Sequence, residues 1–455
     1  MPSADPAVPA ASRSPVPSCA IDVPPVRETT VARVTVPAQP RSVVVVGAGL
    51  AGSRTVVALR EQGFDGHVTL LGAEGLAPYD RPPLSKHLFD QTAPAWLADE
   101  LGGDAVGLAD DVRLDAPALG LRIGPSSVDV TTAHGTTTAD AAVIASGSHA
   151  IRPAGWDAAA TLHTAADAAH LRSRLTPGTR LVVIGAGWIG AEVAGVAAAA
   201  GVTVTVVEAL GAPLTSALGV DVGALTASWY AAAGVELVTS ARVAQVRADG
   251  VELEGGRRLD ADLVLAAVGA RPGTGWLAGG LPLDQDGSVR VDGTFAPQGG
   301  PRHVRAVGDV ARRLSARHGV VAGGHWDGAL RSPAIAVRSL LTPDTRPGPG
   351  PDDDPAPYVF STQLGHELAM FGQPGAADDV VLRGGSSAGP SAAPGDGWTA
   401  LWFSPGTDAL TAVLAVDRPR DVAAARRLFT GPALPRLDRG RAADPTLALR
   451  AAVTG

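Results

Sequence analysis

The feature that most constrains this fold is a repeat. "RSVVVVGAGLAGSRTVVALREQGFDGHVTLLGAE" (41–74) and "TRLVVIGAGWIGAEVAGVAAAAGVTVTVVEAL" (179–210) share one layout. Each has a β-branched apolar run, a glycine turn, an Ala/Leu/Val-rich helix and a second apolar strand. The first fingerprint, Gly47-Ala48-Gly49-Leu-Ala-Gly52, follows an expected strand at Val43–Val46. The second, Gly185-Ala-Gly187-Trp-Ile189-Gly190, follows one at Leu181–Ile184. In such a loop the first glycine permits the tight turn and the second lets the backbone approach a pyrophosphate. The third lets the helix pack closely on the strand. The helix N-terminus then faces the phosphates. A single fingerprint is weak evidence, but two, each followed by a strand at the right distance, indicate two dinucleotide sites.

Each second strand should end on an acid that binds a ribose, about 20 residues on. In the second unit this is Glu208, which ends "VTVVE". A carboxylate there accepts hydrogen bonds from the ribose hydroxyls and repels a 2′-phosphate, so NADH is expected over NADPH. The first unit ends "VTLLGAE", and Glu74 falls slightly late for the same role. Two dinucleotides in one chain point to a flavin and a nicotinamide.

A length of 455 residues suggests about three domains. A net charge of -8 argues against non-specific nucleic-acid binding but leaves room for a local basic patch. Cys19 is the only cysteine, so structural disulfides, iron–sulfur clusters and thiolate zinc sites are not expected, and no metal site is assigned. There is no apolar run of about 18 residues and no signal-peptide pattern, so a cytoplasmic location is expected. Residues 1–40, rich in Pro, Ala, Ser and Val, read as a disordered leader. The segments 342–357 and 384–397 read as loops or linkers. After 356, "TALWFS", "LTAVLAV" and "RDVAAARRLF" suggest a third, α+β domain.

One residue stands out between these units. "PYDRPPLSK" (78–86) ends on Lys86, the only lysine in the chain; the other 36 basic residues are arginines. A flexible ammonium survives where a planar guanidinium cannot replace it, or it survives by chance. Directly after a first dinucleotide unit, this stretch resembles the signature of the FAD-dependent NADH:ferredoxin reductases of bacterial oxygenase systems. These belong to the pyridine nucleotide-disulfide oxidoreductase superfamily, and apoptosis-inducing factor is a relative. The resemblance continues in "VIASG" (143–147), "LVLAAVGARP" (263–272), "HVRAVGDVA" (303–311), "HWDGA" (325–329), "PYVFSTQLG" (357–365) and "ADPTLALR" (443–450).

The resemblance implies an α/β, glutathione-reductase-like fold: two Rossmann-type dinucleotide-binding domains plus a C-terminal α+β domain. The FAD-binding domain would be discontinuous, 41–157 and 282–342, with the NAD-binding domain at 158–281. A linker at 343–356 and a reductase domain at 357–455 would follow. FAD contacts are implied for Ala48, Glu74, Arg81, Ala145, Gly147, Arg152 and Asp309, and NADH contacts for Ile189 and Gly269. Lys86 would lie beside the hydride-accepting edge of the flavin. Glu192 is expected to face it from the first turn of its helix, where it also reads as a charge favoured by the macrodipole. Trp326 would stack on the site or line the electron exit, and it also reads as a core tryptophan.

Residues 75–95, where redox cysteines of this fold would fall, contain none, so dithiol and sulfenic chemistry is excluded. What remains is a hydride in from NADH and single electrons out, with an acidic [2Fe–2S] ferredoxin as the implied partner. Arg312, Arg313, Arg317, Arg331 and Arg338 are candidates for its docking patch. Three positions depart from the family pattern: Gly324 for an acid, Phe360-Ser-Thr362-Gln for Trp-Ser-Asp-Gln, and Asp417 for an asparagine. They leave two alternatives open. One is an NADH-dependent reductase of a small molecule such as a quinone or monodehydroascorbate. The other is a redox-sensing protein like the apoptosis-inducing relatives.

Overall fold

A computed structural model describes residues 39–342, 353–384 and 397–454. Cys19, nearly all of the expected leader, 343–352 of the expected linker and 385–396 of the second loop lie outside the described residues.

The apolar run of the first unit becomes the strand Ser42–Val46, whose four valines are all at most 3% exposed. A strand apolar on both faces belongs at the centre of a parallel sheet covered on both sides. It pairs in parallel with His67–Leu71 on one side and Ala141–Ile144 on the other. Asp111–Arg113 and Val304–Ala306 complete five parallel strands. Strand order reverses beside Ser42–Val46, which opens a crevice at its carboxyl end.

The second unit repeats this with four parallel strands, in the order Glu236–Val238, Thr203–Val207, Arg180–Ile184, Leu263–Ala266. The chain leaves the first sheet after Ala141–Ile144, builds the second, and returns with Val304–Ala306. The helix Trp326–Leu341 then packs against the first unit's helix Leu50–Glu61.

The third sheet is antiparallel, in the order Tyr358–Gln363, His366–Gly372, Leu410–Val416, Trp398–Phe403, Asp379–Arg383. One face packs Leu368, Met370, Trp402 and Leu414 on Leu214, Leu218, Val222 and Trp229 of the second unit. The other is covered by Ala425, Phe429, Leu437 and Leu449. Within that cover Arg383, 2% exposed, pairs with Asp421 at 3.1 Å. It also donates to the carbonyls of Ala442, Asp444 and Leu447. The edge strand Tyr358–Gln363 reaches the crevice between the two parallel sheets.

Candidate active site

Both glycine loops have the geometry their sequence requires. Gly47 has φ +115°, and a Cβ there would sit 2.1 Å from the Ala145 carbonyl oxygen. Gly185 has φ +105°, and its Cβ would sit 2.5 Å from the Ala267 oxygen. The third glycines, Gly52 and Gly190, allow no Cβ because the Gly47 and Gly185 oxygens would lie 1.7 and 2.0 Å away. The middle glycines differ: a Cβ on Gly49 or Gly187 meets nothing within 4 Å. Space is therefore left above the N-termini of Leu50–Glu61 and Trp188–Ala199, where a pyrophosphate would approach.

Both loops open into one cavity of about 1150 Å³. Ala48, Glu74, Arg81, Lys86, Ala145, Gly147, Asp309 and Trp326 line it from the first unit's side. Gly185, Gly187, Ile189, Glu192, Glu208 and Gly269 line it from the second's. Gly52 and Gly190 lie beneath it, as their packing requires. Arg152 is elsewhere: it is exposed and lines a separate pocket with Asp157 and His170. The strand Ser148–Ala150 lines the cavity through Ser148 and Ala150, but it ends there, and Arg152 lies beyond it.

At the centre of the cavity, Lys86 Nζ lies 2.7 Å from Glu192 Oε1, with side chains 15% and 4% exposed. Glu192 is the fifth residue of Trp188–Ala199, not in its first turn, because the helix starts at Trp188 after the Gly187 cap. The macrodipole, which fades within the first turn, does not account for it. Its carboxylate has further donors. Ser85 Oγ donates to Oε2, Ser361 Oγ donates to Oε1, and Gln363 Nε2 backs Ser361 Oγ at 3.0 Å. Ser85, Ser361 and Gln363 are all buried. Sequence reasoning missed these three. A signal was present: Ser85 adjoins Lys86, and Ser361 and Gln363 alternate on one strand, so they share a face.

Phe360 lies against the pair, with the Lys86 ammonium 5.3 Å from its ring centroid. Trp326 meets Phe360 edge-on at 5.9 Å, and its indole N–H donates to Asp80 Oδ1 at 2.7 Å. Burial raises the Asp80 carboxyl above its ordinary range, and the indole hydrogen bond opposes this. Asp309 lies in the 3₁₀ turn Gly308–Val310 and accepts from Ser148 Oγ at 2.8 Å and the Gly324 N–H at 3.2 Å.

The two acids after the second strands are held differently. Glu208 accepts the Ala186 and Leu210 backbone N–H groups, one on each oxygen at 2.8 Å. Glu74 pairs with Arg81 and accepts the Tyr79 hydroxyl at 2.5 Å. Burial, above all, pushes that hydroxyl up to about 12.

The expected arginine patch is not a free surface. Arg313 is buried against Asp354, and Arg317 donates to the carbonyls of Phe429, Gly431 and Asp354. Arg312 pairs with Asp286, Arg338 with Asp353 and Arg331 with Asp327. In Ala311–Ser315 the two-residue period turns Arg313 inward, and Asp354, in the expected linker, meets it there. Among the described residues no helix is long and apolar enough to cross a membrane, and no cluster of side chains could hold a metal ion.

Comparison with known proteins agrees with this architecture. Residues 41–328 match the family Pyridine nucleotide-disulphide oxidoreductase, and residues 358–453 match Reductase C-terminal. The chain is 34% identical over 430 residues to the anthranilate 1,2-dioxygenase system ferredoxin–NAD(+) reductase component of Burkholderia cepacia, covering 90% of this chain and 98% of that one. It is 32% identical to the benzene 1,2-dioxygenase system ferredoxin–NAD(+) reductase subunit of Pseudomonas putida, covering 85% and 92%. Among solved structures it superposes on Fdr9 with TM-score 0.78 at 36% identity, covering 90% and 99%. It superposes on the reductase of a covalent putidaredoxin reductase–putidaredoxin complex with TM-score 0.78 at 25% identity, covering 90% and 97%. The chain belongs to the pyridine nucleotide-disulphide oxidoreductase family and carries that family's reductase C-terminal domain.

Proposed function

We propose that this protein is an FAD-containing reductase that takes a hydride from NADH and passes single electrons to an acidic [2Fe–2S] ferredoxin serving an oxygenase system. The observation that carries this reading is the buried Lys86–Glu192 pair, set where two dinucleotide loops open into one cavity. The acceptor follows from the relatives, which are ferredoxin–NAD(+) reductases of dioxygenase systems. It also follows from the likeness to a reductase solved with putidaredoxin.

In this reading the loop at Gly47–Gly52 holds FAD together with Ala48, Glu74, Arg81, Ala145, Gly147 and Asp309. The loop at Gly185–Gly190 holds NADH together with Ile189, Glu208 and Gly269. The open space at Gly49 and Gly187 fits the groups assigned to them. FAD, when bound, supplies a centre that accepts two electrons together and releases them one at a time.

The chain's own residues do the rest. Lys86 holds a positive charge at the junction and stabilises negative charge as it develops there. Glu192 keeps that ammonium in place, and Ser85 and Ser361 satisfy its oxygens so that it does not turn away. Glu208 accepts the ribose hydroxyls, and its charge repels a 2′-phosphate. Trp326, fixed by Asp80, closes the far wall. With Cys19 as the only thiol, electrons do not leave through a cysteine pair. The same reading puts the protein in the cytoplasm, where its donor NADH is supplied.

The test is anaerobic stopped-flow on the FAD-loaded protein, mixed first with NADH or NADPH and then with oxidised [2Fe–2S] ferredoxin. Fast bleaching by NADH alone, followed by reoxidation on ferredoxin, is expected. Bleaching without reoxidation would move the acceptor to a small molecule such as a quinone. A protein that takes up no FAD would overturn the reading.

A further inference from the structure

The second cradle ends on Glu208, and the base of a dinucleotide must lie beyond the ribose that this acid holds. The chain builds that place from a small antiparallel sheet. The Ala241 N–H donates to the Glu208 carbonyl at 3.0 Å, and the Ser240 N–H donates to the Leu210 carbonyl at 2.8 Å. These bonds lay the approach to the strand Val243–Arg247 beside Glu208–Leu210. Val243 then pairs with Leu253 of the strand Gly250–Leu253. One residue further out, Arg242 and Glu254 stand opposite each other, joined by the Glu254 N–H to the Arg242 carbonyl at 2.8 Å. Residues directly opposite in an antiparallel pair share a face.

Arg242 and Glu254 line the cavity with Glu208, Leu210, Ala241 and Val243. Both charged side chains are exposed, and among the described residues neither forms an ion pair. Other charges of the same sheet do pair: Arg247 with Glu252 at 3.4 Å, and Arg258 with Asp249 at 2.6 Å. Leu210 is 39% exposed, an aliphatic surface left open beside them. The place beyond the ribose thus offers an apolar floor, a planar cation and an acceptor that cannot donate. Adenine matches each in turn. Its faces take apolar contact and a stacked guanidinium, and its 6-amino group donates.

We propose that Arg242 and Glu254 form the adenine end of the NADH site. The Arg242 guanidinium stacks on the base, and the Glu254 carboxylate accepts a hydrogen bond from its 6-amino group. The site therefore selects a 6-aminopurine over a 6-oxopurine, whose carbonyl oxygen faces a carboxylate with nothing to donate. The two charges offset each other, so the repulsion that Glu208 exerts on a 2′-phosphate stands. This rests on the assignment of NADH to the second cradle.

The test uses anaerobic stopped-flow on the FAD-loaded protein with two donors, NADH and reduced nicotinamide hypoxanthine dinucleotide. The second carries a carbonyl where adenine carries the amino group. The concentration dependence of bleaching gives a dissociation constant and a limiting rate for each. In the wild type the hypoxanthine donor is expected to bind about tenfold more weakly at the same limiting rate, since both deliver the same nicotinamide. In E254Q the gap should close to within about twofold, because an amide both donates and accepts. R242A should weaken both donors alike, by about threefold, because stacking does not read the 6-position. E252Q is the control, on the same strand but outside the cavity lining, and keeps the tenfold gap. A wild type that binds both donors equally, or a gap that survives in E254Q, overturns the adenine site and leaves the reductase reading intact. An R242A effect on one donor alone overturns the stacking role. FAD that neither donor bleaches overturns the assignment of NADH beneath the proposal.

Discussion

The two dinucleotide cradles make an instructive pair because their backbones agree and their acids do not. Gly47 and Gly185 adopt φ +115° and +105°, and the glycines after them repeat the same close approaches and the same open space. Among the described residues Glu208 is held by two backbone N–H groups and no cation, so its charge stays available to a ribose diol. Glu74 also accepts one donor on each oxygen, but one of them is the Arg81 guanidinium, so its charge is already paired. The comparison separates what the phosphates require, which is backbone geometry, from what the sugar requires, which is a carboxylate whose charge no cation has taken.

The largest effects should come from breaking the shared part. Gly47→Ala places a methyl 2.1 Å from the Ala145 oxygen at a φ that side chains avoid. It should yield protein without yellow colour. Gly185→Ala should yield yellow protein that NADH no longer bleaches. Absorbance after purification and anaerobic titration separate the two outcomes, and a colourless Gly185→Ala would break the assignment of loops to cofactors.

Next come the acids. Glu208→Gln removes a charged acceptor, and charge-assisted hydrogen bonds contribute about 1.5–3 kcal/mol each. KM for NADH should rise by about 10- to 100-fold with kcat little changed, and the preference over NADPH should narrow. Glu74→Gln breaks a partly exposed ion pair, a contact whose contribution is about 0–1 kcal/mol. FAD should be held only a few-fold more weakly, measured by equilibrium dialysis. Equal sensitivity of both cradles to loss of the acid would contradict their difference.

A smaller contrast is pH. Both histidines lining the cavity, His163 and His325, have pKa values lowered chiefly by burial, and each faces Asp309 at the first cradle's end. Below about pH 6.5 the unfolded chain binds protons that these two still refuse. Their contribution is therefore complete above that pH and is lost as pH falls toward the folded values. Thermal midpoints should drop between about pH 7.5 and 5.5, and His163→Gln should flatten the drop by roughly a degree or more. An unchanged slope would remove His163 from the explanation.

What sequence made legible were features with local signatures. The fingerprints encode their own turns, and Lys86 and Asp309 sit in short motifs with fixed surroundings. Glu192 was found because it lies just beyond the last fingerprint glycine, although its helix begins earlier than expected and leaves it past the first turn. The Ser361 support is formed across 169 residues of sequence, and nothing local marks a serine as a carboxylate's donor. The arginine patch failed for a related reason. Arg313 looks the same in sequence whether it meets water or Asp354, and only the strand period together with a distant partner decides. Arg152 shows the same limit on a smaller scale, since the strand that lines the cavity ends at Ala150, two residues before it.

The most direct test is of the charge at the junction. Lys86→Met keeps the apolar stem of the only lysine and removes its ammonium. The rate of anaerobic flavin bleaching by saturating NADH should fall by about 10²-fold, as for loss of a preorganised donor, while FAD content and the dissociation constant for NADH hold. An unchanged bleaching rate at full FAD occupancy would contradict a catalytic role for the Lys86–Glu192 pair.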